Sequence, residues 1–238
     1  SAASKKIVSA GLEVLHEDGT VIAVNKPSGL LTDTATKQQA RERDSARKMM
    51  QAYLKPQKKR PVVVHRIDRD TSGVVLFAKN PAAADRIKEG FRDSAIGRFY
   101  WVAVQGGPEE DEGTWEDEVY WDGKKKVLRR SHPDQRDRKQ ARAHFKVVSR
   151  YEDVTILEVE LDTGKRNQIR FQCQQRGYPL CGERLYTPRD WHLRGPECPR
   201  QALHAKRLEF PHPNRPDDRI VVEAPLPADL ALFVKSLS

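Results

Sequence analysis

The segment His65-Arg66-Ile67-Asp68-Arg69-Asp70-Thr71-Ser72-Gly73 lies between two apolar runs, residues 62–64 (VVV) and residues 74–78 (VVLFA). Short apolar runs of this kind predict buried strands, so the polar segment between them indicates a site. An ionised Asp68 paired with an arginine fits a nucleophilic or basic carboxylate, whereas Asp70 fits a turn stabilised by backbone hydrogen bonds. The residues alone support a structural salt-bridge network equally well.

The rest of the chain is rich in strands. Because strands outnumber helices and do not alternate regularly with them, we expect an α+β fold with a mixed, largely antiparallel central sheet and flanking helices and loops. Residues 107–138, which are acidic and then basic, are expected to form an excursion with strands outside the core. Further strands are predicted near residues 12–16, 20–25, 99–104, 154–161, 202–210 and 219–223, and helices near residues 46–54, 81–91, 168–176 and 227–237.

The net charge favours a polyanionic partner. Lys and Arg outnumber Asp and Glu by 43 to 34, which gives a formal charge of +9. Three basic runs, at residues 55–60, 124–130 and 136–142, carry much of this excess. Together they predict a nucleic-acid surface, although each run alone is typical of a solvated loop. The polar residues 32–43 are expected to form a mobile or RNA-facing loop.

Several classes of protein are disfavoured. No apolar run has the length of a membrane span, and the N-terminus lacks a secretory pattern, so we expect a cytoplasmic protein. Cys173, Cys181 and Cys198 are expected to be reduced thiols; with His192 they lack the ligand spacing of a zinc site, so no metal is expected. We predict a single domain over residues 12–238 after an N-terminal tail, residues 1–11.

Several motifs carry a family resemblance. The segment at residues 65–73 resembles the H-R-[LI]-D-x-x-T-S-G signature of pseudouridine synthases of the RluA type. Further segments are similar to other signatures of that family in the same order, and together they span residues 12–235, which makes a chance match very improbable. They are residues 21–29 (VIAVNKPSG), 99–106 (FYWVAVQG), 161–170 (LDTGKRNQIR), 177–182 (GYPLCG) with Tyr186, and 202–205 (ALHA).

The resemblance implies three catalytic residues. Asp68 corresponds to the family's catalytic aspartate, and Tyr100 to the aromatic residue that stacks on the target base and assists proton removal from its C5. Arg170 corresponds to the basic partner of the aspartate. Residue type alone would favour ordinary strand packing for Tyr100 and an exposed helix-surface position for Arg170.

The resemblance also implies the substrate and its contacts. We expect an isomerase that converts uridine to pseudouridine in structured ribosomal or transfer RNA, with the base flipped out of its stack, no cofactor and a monomeric chain. Lys165 and Asn167 depart from the Arg and His of many members, and the frequent N-terminal RNA-binding domain is expected to be absent. Six residues are predicted to contact RNA or substrate: Arg66, Ile169, His65, Thr71, Lys165 and Asn167.

Two other functions stay open at the level of sequence. A catalytically silent RNA-binding module would show the same charge pattern. A nucleic-acid hydrolase or glycosylase would use Asp68 and Asp70 as a carboxylate pair, and would release free uracil if it were a glycosylase.

Overall fold

The structure is a computed structural model that describes residues 7–8, 12–34, 44–187 and 195–237. The chain divides into two compact units: unit 1 comprises Ser1–Gly97 and Ala205–Pro225, and unit 2 comprises Arg98–His204 and Leu226–Ser238. The expectation of one domain over residues 12–238 stays a prediction. The predicted tail, apart from residues 7–8, and residues 35–43 of the predicted RNA-facing loop lie outside the described residues.

The described residues form twelve strands and four α-helices, which confirms the predicted α+β class. The helices are α1 (Ala46–Leu54), α2 (Pro81–Arg92), α3 (Gln168–Gln175) and α4 (Ala228–Lys235). The strands are β1 (Ile7–Val8), β2 (Leu12–Glu17), β3 (Val21–Lys26), β4 (Val62–Val63), β5 (Ser72–Ala78), β6 (Gly97–Gln105), β7 (Glu112–Asp122), β8 (Val127–Arg130), β9 (Lys139–Arg150), β10 (Val154–Leu161), β11 (Leu203–His212) and β12 (Arg215–Glu223).

Unit 1 is a sheet with the strand order β1-β2-β3-β5-β11, with β4 paired to β5 and β12 to β11. All seven residues of β5 are buried, as its continuous apolar sequence predicts. Helix α2 begins as predicted, because the Asn80 side chain accepts the N–H of Ala83 at 2.9 Å and Pro81 fits the first turn. Ile87 and its neighbours on that helix pack on the apolar face of the sheet, in one cluster with Leu76.

Unit 2 contains the strand order β6-β10-β9-β7-β8, paired antiparallel throughout. In β10 the alternating residues Leu157, Val159 and Leu161 are buried, as the pattern of that strand predicts. The expectation that residues 107–138 lie outside the core is wrong for β7, where Trp115 is 2% exposed and Val119 is fully buried. Acidic side chains alternate along this strand with buried apolar ones, so the run of charge concealed a half-buried strand of period two.

Two further sequence expectations concern the membrane and the cysteines. Within the described ranges, no helix has both the length and the apolar character needed to cross a bilayer. Cys173, Cys181 and Cys198 are free and buried, and burial raises the pKa of each thiol. No group of three or more His, Cys, Asp or Glu side chains that could hold a metal ion is found in the described part of the chain; His192 lies outside it.

Candidate functional site

In unit 1, the Asp68 loop, defined as residues 65–71, connects β4 to β5 and carries the first candidate carboxylate. Asp68 is half-buried, and its backbone carbonyl accepts the N–H of Thr71 at 3.1 Å. This bond closes a turn directly after Asp68. The loop therefore has a defined backbone conformation at the candidate residue.

Lys26, at the end of β3, fixes this loop from one side. Its side chain is fully buried, and its Nζ donates to the carbonyl oxygens of Pro27 at 2.9 Å, Leu30 at 2.6 Å and Arg69 at 2.9 Å. The N–H of Gly29 donates to the same Arg69 carbonyl at 2.9 Å. Hydrogen bonds from a buried ammonium are stronger than neutral ones, so the segment after β3 and the residue after Asp68 are held together.

Thr32 fixes the loop on the other side of Asp68. Its hydroxyl donates to the carbonyl of Ile67 at 3.0 Å and accepts the N–H of Ile67 at 3.3 Å, and Thr32 is 1% exposed. The Ser28 hydroxyl donates to the Asp70 carbonyl at 2.9 Å. The backbone on both sides of the candidate carboxylate is thus bound to the segment that follows β3.

The other predicted residues of the loop occupy different environments. Arg66 is exposed, whereas Thr71 is 1% exposed. His65 accepts the N–H of Leu76 on Nε2 at 2.9 Å and lies 5.0 Å from the ring of Phe91, so its observed contacts stabilise unit 1. Contact of these three residues with RNA stays a prediction.

In unit 2, Tyr100 lies on β6 and is 9% exposed, opposite Val159 of β10. Two residues earlier on the strand, the buried Arg98 donates to the carbonyl oxygens of Leu161 at 3.0 Å and Asp162 at 2.8 Å. Burial lowers the pKa of Arg98. These bonds join the strand of Tyr100 to the end of β10.

Positive charge is concentrated around Lys165. Burial lowers the pKa of Lys165, and the charges of Lys139 and Arg98 lower it further. Repulsion among cations in a partly buried region means that an anion there would be stabilised by all of them. This favours the predicted contact of Lys165 with RNA or substrate, which stays a prediction.

Arg170 lies in α3 with its side chain only 11% exposed, so the helix-surface alternative is wrong. Its Nε donates to Glu183 Oε2 and its NH2 to Glu183 Oε1, both at 2.7 Å, and its NH1 donates to Asn167 Oδ1 at 3.2 Å. Ile169 is 3% exposed, in agreement with a packing role. Unit 1 thus carries Asp68, and unit 2 carries Tyr100 and Arg170; their action together stays a prediction.

Sequence reasoning missed three features of these regions. Glu183, which follows the glycine of the motif at residues 177–182, has no predicted role, and Lys26 appears in the sequence analysis only within the motif at residues 21–29. The third feature is a surface pair, in which the Arg166 guanidinium lies 4.4 Å from the ring centroid of Trp121. The burial of the first two residues depends on tertiary contacts that no local pattern encodes.

Known proteins resemble this chain in sequence. A family model described as RNA pseudouridylate synthase matches residues 20–175, which include Asp68, Tyr100 and Arg170. The protein named uncharacterized RNA pseudouridine synthase YlyB of Bacillus subtilis is 35% identical over 231 residues, which cover 95% of this chain and 73% of that protein. Ribosomal large subunit pseudouridine synthase D of Nitrosomonas europaea is 30% identical, over 95% of this chain and 65% of its own.

A solved structure shows the same fold. The human RNA pseudouridylate synthase domain containing 4 superposes with a TM-score of 0.75 at 18% identity, covering 94% of this chain and 92% of its own. The fold and the matches define the class as an RNA-modifying isomerase. The chain belongs to the RNA pseudouridylate synthase family. The relatives named ribosomal large subunit pseudouridine synthase confirm the resemblance to the RluA type.

Proposed function

We propose that this enzyme isomerises selected uridines of structured ribosomal or transfer RNA, with Asp68 as the essential carboxylate and no cofactor. The observation that carries the proposal is the Asp68 loop: a half-buried carboxylate stands on a backbone bound on both sides, by Lys26 and by Thr32. A fixed backbone holds the carboxylate in one orientation relative to the reacting atom of the substrate, which catalysis requires. The name of the Nitrosomonas relative supports ribosomal RNA as a substrate class.

The reaction requires the base to leave its stack. The bond from N1 of uracil to C1′ of ribose breaks, the base rotates, a bond from C5 to C1′ forms, and the C5 proton leaves while N1 gains a proton. Atoms and electrons balance without an oxidant or a group donor, so no cofactor is needed. Flipping a base costs a few kcal/mol, which contacts in the pocket offset.

Each predicted residue has a role in this scheme. Asp68 acts at the ribose or at the base, Arg170 stabilises its negative charge, and Tyr100 stacks on the uracil and assists removal of the C5 proton. The buried Ile169 packs under the base, and the exposed Arg66 contacts or fills the gap that the flipped base leaves. A guanidinium suits that last position because it stacks on bases as well as pairing with phosphates.

RNA binding is assigned to the basic runs and to four of the predicted contact residues. The turn at residues 124–126 is exposed and follows Asp122, whose Oδ1 accepts the N–H groups of Lys124 at 3.1 Å and Lys125 at 3.0 Å. The three lysines therefore project from an ordered hairpin between β7 and β8. We assign substrate contacts to His65, Thr71, Lys165 and Asn167; the monomeric state and the cytoplasmic location stay predictions.

The proposal is tested by mapping pseudouridine in cellular ribosomal and transfer RNA. Cells without the protein are compared with cells that express the wild-type chain or Asp68→Asn at equal levels. We expect one or a few uridines to be modified only with the wild-type chain. Modification restored by Asp68→Asn would reject the role of Asp68, and no dependence on the wild-type chain would favour a silent RNA-binding module.

A further inference from the structure

Unit 2 buries a carboxylate that none of the assigned roles uses. The Glu183 side chain is 0% exposed and binds the Arg170 guanidinium through two parallel hydrogen bonds, both at 2.7 Å. Burial raises the pKa of Glu183, but the hydrogen bonds and charge of Arg170 and the N–H donors of the next residues outweigh burial, and the pKa is lowered. Glu183 is therefore an anion in the folded protein.

The same carboxylate organises the turn that follows it. Oε1 of Glu183 accepts the backbone N–H groups of Arg184 at 3.0 Å, Leu185 at 2.8 Å and Tyr186 at 3.3 Å. An ionised carboxylate that accepts several backbone N–H groups makes stronger hydrogen bonds than a neutral acceptor does. One side chain thus connects the conformation of residues 184–186 to the position of Arg170.

Two further side chains surround the guanidinium. Asn167 Oδ1 accepts from its NH1 at 3.2 Å, while Asn167 Nδ2 donates to the Tyr186 hydroxyl at 3.3 Å. The Tyr186 ring, which the turn after Glu183 positions, lies with its centroid 5.4 Å from Arg170 Cζ. Arg170 is therefore fixed by a bidentate carboxylate, by an amide and by an aromatic ring, and Glu183 contributes directly to the first and indirectly to the third.

We propose that Glu183 is a positioning residue for catalysis, which holds Arg170 in the orientation that the reaction requires. This inference rests on the proposed function, in which Arg170 is the basic partner of Asp68. An arginine side chain has many rotamers, and a bidentate pair in a buried site removes that freedom before substrate binds. The carboxylate also balances the buried guanidinium charge, which would otherwise favour rearrangement of the helix end towards water.

The alternative is a salt bridge that serves stability alone, and the same unit supplies a matched control. Asp117, whose side chain is 3% exposed, binds Arg176 NH1 at 2.9 Å and Gln172 Nε2 at 2.8 Å. Asp117→Asn therefore removes the charge of a similarly buried carboxylate whose strong hydrogen bonds go to Arg176 and Gln172 instead of Arg170. A purely stabilising role for Glu183 predicts the same pattern of effects for both substitutions.

The experiment compares purified Glu183→Gln, Glu183→Asp and Asp117→Asn with the wild-type enzyme. Its substrate is an RNA that the wild-type chain modifies, and kcat and KM are measured at a temperature where circular dichroism shows each variant folded. We expect Glu183→Gln to lower kcat about 10- to 100-fold with little change in KM, because the variant loses the fixed orientation of Arg170 that stabilises the transition state. Asp117→Asn should lower the Tm comparably and leave kcat within about twofold of wild type.

Glu183→Asp keeps the charge on a shorter side chain, so its kcat should lie between wild type and Glu183→Gln. A wild-type kcat in folded Glu183→Gln, or an equal loss of kcat in Asp117→Asn, would overturn the proposal. If Glu183→Gln does not fold, a wild-type kcat in Glu183→Asp would overturn it. Asp68→Asn is measured in parallel: turnover in that variant means that the proposed function has failed, whereas an inactive Asp68→Asn beside a fully active Glu183→Gln rejects only the positioning role.

Discussion

The Asp68 loop and the Arg170 region position their candidate residues by opposite electrostatic means. In unit 1 a buried cation, Lys26, binds three backbone carbonyl oxygens around the loop. In unit 2 a buried anion, Glu183, binds a guanidinium and three backbone N–H groups. The first arrangement fixes main chain, and the second fixes both main chain and a functional side chain.

This difference determines which substitutions each region tolerates. The hydrogen bonds to the carbonyl of residue 69 do not depend on the side chain at that position, because the bonded atom belongs to the backbone. Arg170, in contrast, depends on the identity of its partner, since its geometry is set by another side chain. Losing Lys26 should therefore affect folding most, whereas losing Glu183 should affect kcat most.

The largest effect on stability is expected for Lys26→Met, which fills similar volume but leaves the three carbonyl oxygens without that donor. We expect a loss of about 3–4 kcal/mol in the free energy of unfolding, since hydrogen bonds from charged donors are among the stronger ones. Urea titration followed by circular dichroism measures this loss. Lys48→Met, at a side chain that is 53% exposed, is the control and should change stability by less than about 0.5 kcal/mol. Equal effects in both variants would show that the buried ammonium does not hold unit 1 together.

The next effect tests the turn that presents Glu183. Gly182 has φ +70°, and a Cβ there would overlap the Arg200 carbonyl oxygen, so Gly182→Ala should lower the free energy of unfolding by about 3 kcal/mol. Gly177 has φ +81° and nothing within 4 Å of a Cβ, so Gly177→Ala should cost only roughly 1 kcal/mol. Thermal unfolding of the two variants gives the comparison. A cost in Gly177→Ala that matches that of Gly182→Ala would mean that positive φ, not close backbone approach, dominates.

A smaller effect, the pH dependence of stability, distinguishes the buried anion Glu183 from the buried cation Lys26. Because the folded-state pKa of Glu183 lies below its usual 4.5, its ionised contacts stabilise the protein above that pH, and the stabilisation is lost as pH falls through the folded pKa. Glu183→Gln should therefore lower the free energy of unfolding by about 2 kcal/mol at neutral pH and by progressively less below pH about 4.5. Urea titrations across the acid range measure it. The deficit of Lys26→Met should not shrink in this way, because an ammonium stays charged in acid; a constant deficit for Glu183→Gln would contradict an ionised Glu183.

The smallest expected effect concerns RNA binding by the hairpin turn at residues 124–126. Replacing its three lysines by glutamine should weaken RNA binding and reduce the slope of log K against log salt by roughly one for each phosphate that these lysines neutralise. Filter-binding titrations at several salt concentrations give that slope. The control replaces three exposed lysines outside the basic runs, Lys48, Lys88 and Lys146, and carries the same change in charge. An identical slope in both triple variants would mean that the turn is only solvated.

Local elements could be predicted from sequence because their causes are local. The helix after Asn80 and Pro81 and the strand at residues 154–161 follow from capping and from alternation. The burial of Trp115 was missed because the acidic residues on the exposed face of β7 dominated the composition of that segment. Pattern alone therefore identified strands such as β5 and β10 together with their buried residues, but it missed the burial of β7 and did not predict β9.

The candidate site was predicted unevenly for a similar reason. Asp68 and its polar loop stand out because two carboxylates and two guanidiniums lie within five residues between two apolar strands. Glu183 does not stand out, since a single glutamate after a glycine is common, and its role depends on Arg170 thirteen positions earlier in the chain. Asn167 adopts φ +58° at the start of α3, a left-handed conformation that its sequence context did not predict.

The central claim is that one carboxylate, Asp68, is indispensable for pseudouridine formation. The direct measurement uses RNA tritiated at uracil C5, because isomerisation releases that hydrogen to water while the RNA keeps its base. Purified Asp68→Asn is compared with Asp70→Asn, which alters an exposed pair with Arg69 two residues away in the same loop. Asp68→Asn should bind RNA and release essentially no tritium, while Asp70→Asn keeps most activity. Substantial tritium release by folded Asp68→Asn would contradict the account.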